Sequence, residues 1–533
     1  MPRRLLLAAV VAAVAAAPAG ASAASPRLTV TLPGDAAAAS VRADRATWIV
    51  GARPGRAADR LAAAEGARRV GSGAYVVARA RARVLARSLR GRGLLLYAEP
   101  NRLARRLQGP APDPLDGRAA WRAAIVDSRL VPPPVTPTSP LLALVDSQLD
   151  ATHPEFAGGN VATLGGLPVA SAHGTETAAV AAAPKNDRGI LGVWPGMRAL
   201  NVPLPEEIRC GDSVSGIARA TAEGAAVINM SYGSTFLCLA EYVQLQAATA
   251  RGITLVAAAG NEAGSHQLYP ASLPHVLTVA AVGSDLEPPF FSSTSAAVDL
   301  AAPGVGILSA TPPQFDEDGQ RDGYEVVSGT SFSAPMVAAA AAWLRAAKPN
   351  LTADQIAQTL RGSARDLGRK GWDAATGFGL LSMTGALTLR APASDPHEPN
   401  DDMAWVDGRA LGHRDRAVWR GGKPVRLRAL IDKLEDPADV YRIVFPPHAK
   451  VRVTLQPRFG DPDLAAYTRS ATSTGDDEQI IARSHHNGRR KDSLELRNPS
   501  RRSRAAFVVV YIDRATRTLD SRYDLSIRRV KRR

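Results

Sequence analysis

Apolar runs separated by helical stretches dominate the middle of the chain. A nearly continuous apolar run is typical of a strand in a parallel sheet that helices cover on both faces. Five such runs predict buried strands at 141–145, 199–202, 226–230, 253–258 and 276–281. An alanine-rich stretch predicts a buried helix at 334–347, and an amphipathic helix follows at 353–360. The middle of the chain is therefore predicted to be an α/β domain.

The segments on either side of this domain have different patterns. Residues 25–108 alternate short strands with two helices, which predicts a small α+β domain. After about residue 390, short alternating runs separated by charged turns predict an antiparallel β-sandwich. The predicted strands of the sandwich are 425–430, 440–445, 450–455, 506–512 and 523–527. The predicted domains are therefore 25–108, 109–394 and 395–533.

Residues 1–24 have the pattern of a secretory signal peptide. Arg3 and Arg4 precede an apolar run at 5–17, and the small residues at 21–23 form a cleavage site. The run is shorter than the roughly 18 residues of a membrane-spanning helix. We therefore predict a secreted, extracellular protein with no membrane span.

The charge of the chain is distributed unevenly. The formal net charge of +15 at first suggests a nucleic-acid partner. However, residues 25–108 carry 17 basic and 5 acidic side chains, and residues 109–394 carry 17 basic and 25 acidic ones. Without the first 108 residues the net charge would be about +1, so no nucleic-acid partner is expected. The opposite charges instead favour docking of the first domain on the second.

The chain has two cysteines, Cys210 and Cys238. In an exported protein without other thiols, we expect them to form one disulfide. The alternative is a pair of buried free thiols. A zinc site is not expected, because two thiols without a nearby histidine pair do not complete one.

Four polar residues stand in contexts that suit nucleophilic catalysis. Ser331 precedes the alanine-rich helix, Asp146 ends an apolar run, His173 opens a helical stretch, and Asn261 follows another apolar run. A serine hydroxyl becomes an effective nucleophile when a base takes its proton and donors stabilise the resulting oxyanion. Asp146 and Asn261 are expected at the carboxyl ends of strands, where open α/β sheets place their active sites.

The motifs around these residues, in this order along the chain, resemble those of the subtilisin-like serine proteases (subtilases, peptidase family S8). They are Leu144-Val145-Asp146, His173-Gly174-Thr175, Asn229-Met230-Ser231-Tyr232-Gly233, Ala259-Gly260-Asn261 and Gly329-Thr330-Ser331. The resemblance covers about 113–388 and implies a three-layer subtilisin-like fold around a parallel sheet. It also implies a serine endopeptidase. In that enzyme Ser331 attacks the peptide carbonyl, His173 is the general base, Asp146 orients His173, and Asn261 donates to the oxyanion.

The same resemblance implies how a protein or peptide substrate binds. The implied substrate-binding residues are Ser231, Tyr232, Gly233, Ala257, Ala258, Ala259 and Leu268, with Leu268 at the floor of a short apolar pocket. No cofactor is required for the chemistry. A structural calcium ion is implied at Glu155 and Asn186, and the alternative for that loop is a tight surface turn.

The flanking domains also have resemblances. Residues 25–108 resemble the inhibitory propeptide of the family, which implies that the chain's own propeptide is its inhibitor and chaperone and that cleavage falls between Arg102 and Arg118. Glu398-Pro399-Asn400-Asp401 resembles the start of the bacterial pre-peptidase C-terminal domain, an accessory β-sandwich. We expect a monomer. The alternative is a secreted binding protein that keeps the fold without useful catalysis.

Overall fold

The structure is a computed structural model. It describes residues 43–106, 120–265, 267–295, 297–393, 395, 397–408, 416–433, 436–512 and 520–530. The predicted signal peptide and the predicted cleavage region from residue 107 onwards lie outside these residues. Within the described ranges, no helix combines the length and the apolar character needed to cross a membrane.

The first unit is an antiparallel sheet with two helices. Its elements are β1 Ala43–Ala52, α1 Arg56–Ala64, β2 Arg68–Gly71, β3 Ala74–Ala78, α2 Arg79–Gly91 and β4 Leu95–Arg106, and the strand order is β4-β1-β3-β2. The α+β pattern is confirmed. The strand β4 continues to Arg106 because its second half pairs with strands of the next unit, which a local pattern does not encode.

The second unit contains most of the helices in the described part of the chain. Its strands are β5 Leu142–Asp146, β6 Asn160–Thr163, β7 Arg198–Pro203, β8 Ile208–Arg209, β9 Val227–Met230, β10 Tyr232–Gly233, β11 Thr254–Ala258, β12 Val276–Val282, β13 Val298–Pro303, β14 Ile307–Ala310 and β15 Tyr324–Val327. Its helices are α3 Ala120–Ile125, α4 His173–Ala182, α5 Cys210–Ala222, α6 Leu239–Thr249, α7 Thr330–Ala347, α8 Ala353–Gly362 and α9 Met383–Thr388.

Seven of these strands form one parallel sheet in the order β13-β12-β11-β9-β5-β7-β6. All five predicted strands are confirmed, and the subtilisin-like α/β fold is confirmed with them. The hydrophobic pattern did not predict the two edge strands of this sheet, β6 and β13. One of them, β6, is half exposed along its length, and the other, β13, is interrupted by Asp299, a fully buried carboxylate. Hydrophobic runs mark strands that are covered on both faces, and neither edge strand has one.

The helix α7 confirms the predicted buried helix. It is buried from Thr330 to Leu344, and it packs against α4, β9, β11 and β12. Its alanines leave little side-chain volume between the helix and the sheet. Its N-terminal turn, which contains Ser331, therefore lies close to the strand ends.

The third unit is a sandwich of two antiparallel four-stranded sheets, as predicted. A short helix, α10 Met403–Val406, precedes it. Its strands are β16 Val425–Asp432, β17 Ala438–Phe445, β18 Lys450–Phe459, β19 Pro462–Thr468, β20 Ile480–Ser484, β21 Asp492–Arg497, β22 Arg504–Ile512 and β23 Asp520–Arg529. The sheet orders are β16-β23-β18-β21 and β17-β22-β19-β20. The sandwich contacts the second unit through Arg361, which pairs with Asp299 and with Asp432.

Candidate active site

A buried acid and a buried histidine form the centre of the site. Asp146 is the last residue of β5, and His173 is the first residue of α4. Nδ1 of His173 lies 2.7 Å from Oδ1 of Asp146, and both side chains are almost fully buried. The other carboxylate oxygen accepts a hydrogen bond from the Thr177 hydroxyl at 3.1 Å. These contacts hold the imidazole with Nε2 pointing away from the carboxylate.

The first turn of α7, which contains Ser331, lies next to His173. The ring of the next residue, Phe332, has its centroid 5.8 Å from that of His173. The Ser331 hydroxyl donates a long hydrogen bond, 3.4 Å, to the carbonyl of Ser231. Nε2 of His173 is buried and has no hydrogen-bond partner among the described residues. Nε2 of His173 can therefore accept a hydrogen bond from another group.

Asn261 is held so that its amide nitrogen is available. Its Oδ1 accepts hydrogen bonds from the backbone N–H and the hydroxyl of Thr330, at 3.0 and 3.1 Å. Its buried Nδ2 has no hydrogen-bond partner within the described ranges. Because Thr330 directly precedes Ser331, this unused donor lies near the serine. Burying a donor without a partner costs free energy. The Asn261 amide is therefore suited to donate a hydrogen bond to an oxygen atom of a bound ligand.

The strand that contains the predicted substrate-binding residues Tyr232 and Gly233 already pairs with another strand. Tyr232 and Gly233 in β10 pair in antiparallel register with Arg106 and Arg105 in β4. Two residues before Arg105 in β4, Leu103 pairs in antiparallel register with Arg209 in β8. The end of the first unit is thus added as a strand to β8 and β10 of the second unit, which is how extended peptides bind to exposed strand edges.

The predicted pocket residues lie around Gly260. Ala257, Ala258 and Ala259 are buried at the end of β11, and Leu268 is buried against Gly260. Gly260 has a φ of 114°, and a Cβ at this position would overlap the Leu268 side chain. The leucine therefore lies directly beside the backbone of Gly260.

The predicted calcium ligands do not fit a calcium ion in this structure. The Asn186 amide nitrogen, and not its oxygen, faces the carbonyl of Glu155 at 2.8 Å. The Glu155 carboxylate accepts hydrogen bonds from the Tyr324 hydroxyl and from the Ile190 N–H. Burial raises the pKa of Glu155 to about 7, although these two hydrogen bonds lower it in part. Each Glu155 carboxylate oxygen accepts one hydrogen bond, and the Asn186 side-chain oxygen accepts one from the N–H of Arg188 at 3.2 Å, so calcium bound by these oxygens would require the side chains to reorient.

Glu176 places a second acid near the histidine. Its Oε1 accepts a hydrogen bond from the Thr311 hydroxyl at 3.1 Å. Burial raises the pKa of Glu176 to about 7, whereas the charge of His173 and the hydrogen bond from Thr311 act to lower it. This carboxyl group therefore changes its charge near neutral pH.

Cys210 and Cys238 are joined in a disulfide. Cys210 begins α5, and Cys238 caps the N-terminus of α6. Two residues of β4 contact the same helix ends. The Glu99 carboxylate accepts from the N–H of Ala240 at 2.9 Å, and the Asn101 side chain accepts from the N–H of Gly211 at 2.6 Å. Negative groups are stabilised at helix N-termini, so these contacts dock the first unit on the second.

Sequence reasoning missed Thr177, and it missed the roles that Thr330 and Ser231 play in supporting the site. Thr177 lies four residues after His173, and this spacing in a helix places the two side chains on the same face. The spacing could therefore have indicated Thr177 from the sequence. Thr330 orients Asn261, and Ser231 donates from its hydroxyl to the carbonyl of Ser331 at 2.9 Å. No local signal indicates either of these roles, because the partners lie 69 and 100 positions away along the chain.

The site contains an aspartate, a histidine, a serine and an unpaired amide donor, and it lies at the carboxyl edge of a parallel sheet. This is the type of site found in serine hydrolases. The profile of the Subtilase family (Peptidase_S8) matches residues 138–379. The chain belongs to the subtilase family.

Individual relatives agree with this assignment. Subtilisin of Bacillus pumilus is 32% identical over 257 residues, which is 46% of this chain and 90% of that protein. Fervidolysin of Fervidobacterium pennivorans is 33% identical over 284 residues, which is 47% of this chain and 41% of that protein. The match therefore spans about two fifths of fervidolysin's own length.

The crystal structure of fervidolysin, described as a keratinolytic enzyme related to subtilisin, has the same fold. It superimposes with a TM-score of 0.56 at 18% identity, and the superposition covers 84% of each chain. At that level of identity the likeness concerns the fold alone.

Proposed function

We propose that this chain is a secreted serine endopeptidase that is made as a zymogen and processes itself. The observation that carries the proposal is the buried hydrogen bond between Asp146 and His173, with the unpaired Nε2 of His173 close to the turn that contains Ser331. Binding or structural roles do not require an unpaired buried base beside a serine. Subtilases need no cofactor for catalysis, and no step below involves one.

In the proposed mechanism, a substrate strand lies along β10 with its scissile carbonyl above Ser331. The Ser331 hydroxyl leaves the carbonyl of Ser231 and turns to Nε2 of His173. His173 takes the proton as the oxygen attacks the carbonyl carbon, and Asp146 stabilises the imidazolium. The oxyanion accepts hydrogen bonds from Nδ2 of Asn261 and the N–H of Ser331. His173 then protonates the leaving amine, and water releases the acyl group by the same steps in reverse order.

The added strand β4 supports a zymogen. Because Arg105 and Arg106 pair with the strand that would hold a substrate, the first unit must leave before another peptide can bind. We propose that residues 25–108 form an inhibitory propeptide and assist folding, with cleavage between Arg102 and Arg118. The net charges of the two segments, +12 and −8, favour their association.

The remaining parts of the proposal concern location and substrates. The pattern of residues 1–24 supports secretion. Leu268, which is buried against Gly260, supports a short apolar substrate pocket and cleavage of proteins and peptides after apolar residues of modest size. We propose a monomeric enzyme in which residues 395–533 form an accessory domain. The arrangement of Glu155 and Asn186 does not support calcium at those residues.

The test is mass spectrometry of the secreted protein, wild type beside Ser331→Ala, each incubated with casein. We expect the wild type to lose about the first 108 residues and to digest casein, and the variant to stay unprocessed. Labelling with an organophosphorus reagent should modify Ser331 in the processed wild type. A Ser333→Ala variant is the matched control, because Ser333 lies in the same helix and its hydroxyl bonds to the carbonyls of Ala302 and Pro303.

Processing of both forms would overturn self-processing and leave the hydrolase proposal standing. A processed wild type that is neither labelled nor active on casein would overturn the hydrolase proposal and favour the secreted binding protein.

A further inference from the structure

The outer face of one sheet in the C-terminal sandwich is strongly basic. Side chains in a strand alternate between two faces, and Val451, Val453 and Leu455 of β18 point into the core of the sandwich. The alternate positions of the sheet β16-β23-β18-β21 therefore point outward. They include six basic residues, all exposed or partly exposed, which we call the basic face: Arg426, Arg428, Lys450, Arg452, Arg497 and Arg528.

The acidic groups on the same side of the sheet do not neutralise the basic face. Two outward carboxylates are each shared by two basic side chains: Asp524 by Arg428 and Arg458, and Glu495 by Lys450 and Arg452. The other members of the basic face, Arg426, Arg497 and Arg528, form no ion pair with any residue that the structure describes. The face therefore keeps an excess of positive charge.

Some of these positive charges lie directly opposite one another. In β18, Arg452 is paired in register with Arg528 of β23, and Lys450 is paired with Arg497 of β21. Like charges at directly opposed positions destabilise a pair of strands. An anionic partner that lies across these strands would relieve the repulsion.

The basic face is continuous with the contact between the third unit and the second. Asp432 is the last residue of β16, and it pairs with Arg361 of α8 in the second unit at 2.8 Å. Arg428 and Arg426 precede Asp432 by four and six residues and lie on the same side of the strand. At about 3.4 Å per residue, they are about 14 and 20 Å from that contact. A partner on the basic face therefore lies beside the second unit.

The side chains on the sheet indicate the chemistry of the partner. Arginine binds carboxylates through two parallel hydrogen bonds. Phe459, at the end of β18 and opposite Arg522, is 49% exposed, and aromatic and arginine side chains are enriched where proteins bind proteins. The second unit, with 17 basic and 25 acidic side chains at 109–394, would repel an acidic chain. The basic face supplies the attraction that the second unit lacks.

We propose that the basic face binds acidic polypeptides and thereby recruits acidic protein substrates to the active site. A binding surface and an active site in one chain raise the local concentration of a shared ligand. The recruitment rests on the proposed function as a protease, whereas the binding does not.

The first test compares two forms of one substrate, reduced and alkylated serum albumin. One form is unmodified and acidic, and in the other the carboxyl groups are amidated. In the processed enzyme, Arg497→Gln with Arg528→Gln should raise KM for the acidic form about threefold or more at low salt and leave kcat unchanged. KM for the amidated form should not change. At 1 M salt, where the screening length is about 3 Å, the difference should disappear.

The second test measures binding without cleavage, by titrating the acidic albumin into the Ser331→Ala chain. Adding Arg497→Gln and Arg528→Gln should weaken the binding about threefold or more at low salt. The matched control is Arg469→Gln with Arg504→Gln, because both residues are exposed in the other sheet and the change in net charge is the same. The control should bind like its parent. Thermal unfolding establishes that each variant is folded.

Equal weakening by the test and control variants would overturn the basic face as the binding surface. Tighter binding of duplex DNA or of alginate than of the acidic albumin would overturn the polypeptide partner. Unchanged KM in the test variant, or loss of residues 395–533 during processing, would overturn the recruitment. Inactivity of the processed wild type on both albumin forms would overturn the proposed function, and the binding measurement would still decide the role of the basic face.

Discussion

Nδ1 of His173 contacts Oδ1 of Asp146 at 2.7 Å, although the two residues lie 27 positions apart. The end of a parallel strand and the start of the following helix meet here at the carboxyl edge of the sheet. The contact orients the imidazole, and Thr177 holds the other carboxylate oxygen at 3.1 Å. The consequences of this arrangement for catalysis and stability can be measured.

Asp146→Asn should lower kcat on a chromogenic peptide by about 10⁴, because an amide favours the wrong tautomer of His173 and does not stabilise the imidazolium. Asp150→Asn is the control. Its carboxylate bonds to Thr152 in a surface turn, so turnover should change little. Circular dichroism establishes that each variant is folded. A loss below about tenfold for a folded Asp146→Asn would contradict the assigned role of Asp146.

Asn261→Ala should lower kcat by about 10² to 10³ and leave KM nearly unchanged, because the amide donor acts on the oxyanion and not on the bound substrate. Thr330→Val removes the hydroxyl that donates to the Asn261 oxygen and keeps the backbone donor. It should therefore give a smaller loss in kcat. If KM rose and kcat stayed constant in Asn261→Ala, the side chain would bind the ground state instead.

Binding of the first unit should weaken as pH rises. The pKa of Glu241 is raised to about 7, mainly by burial and in part by the charge of Glu99 in β4. Docking therefore favours the protonated form of Glu241, so affinity should fall as the pH increases through about 7. The inhibition constant of a separate 25–108 segment against the processed enzyme, measured from pH 5.5 to 8, tests this expectation. Glu241→Gln should flatten the profile relative to wild type, and an unchanged slope would refute the assignment.

Replacing both cysteines, by Cys210→Ser and Cys238→Ser, should lower the free energy of unfolding of the full chain. The disulfide joins positions 28 apart, and loop-closure entropy gives about 3 to 4 kcal/mol for a loop of this size. Urea unfolding of the double variant in the Ser331→Ala background measures the loss. Treating the parent with a reductant should reproduce the effect, and treating the double variant should change nothing. Equal stability of parent and variant would show that the crosslink contributes little.

The sequence alone determined the central elements of this protein and the identity of its candidate catalytic residues. The apolar runs that became β5, β7, β9, β11 and β12 are buried on both faces, so their hydrophobic pattern is local and strong. Asp146, His173, Asn261 and Ser331 each stand in a short motif, and their order along the chain was enough to indicate a serine hydrolase.

Only the tertiary structure decided how distant side chains meet. The second half of β4 is a strand because β8 and β10 lie beside it, and Asn186 turns its nitrogen towards the carbonyl of Glu155 because of where that backbone lies. Where the second and third units meet, carboxylate oxygens of Asp395, Glu398 and Asp439 lie within 4.8 Å of one another, and His275 of the second unit lies 3.6 Å from Glu398. Hydrogen bonds and charges act through space, so a chain read position by position does not reveal which polar groups will share a buried site.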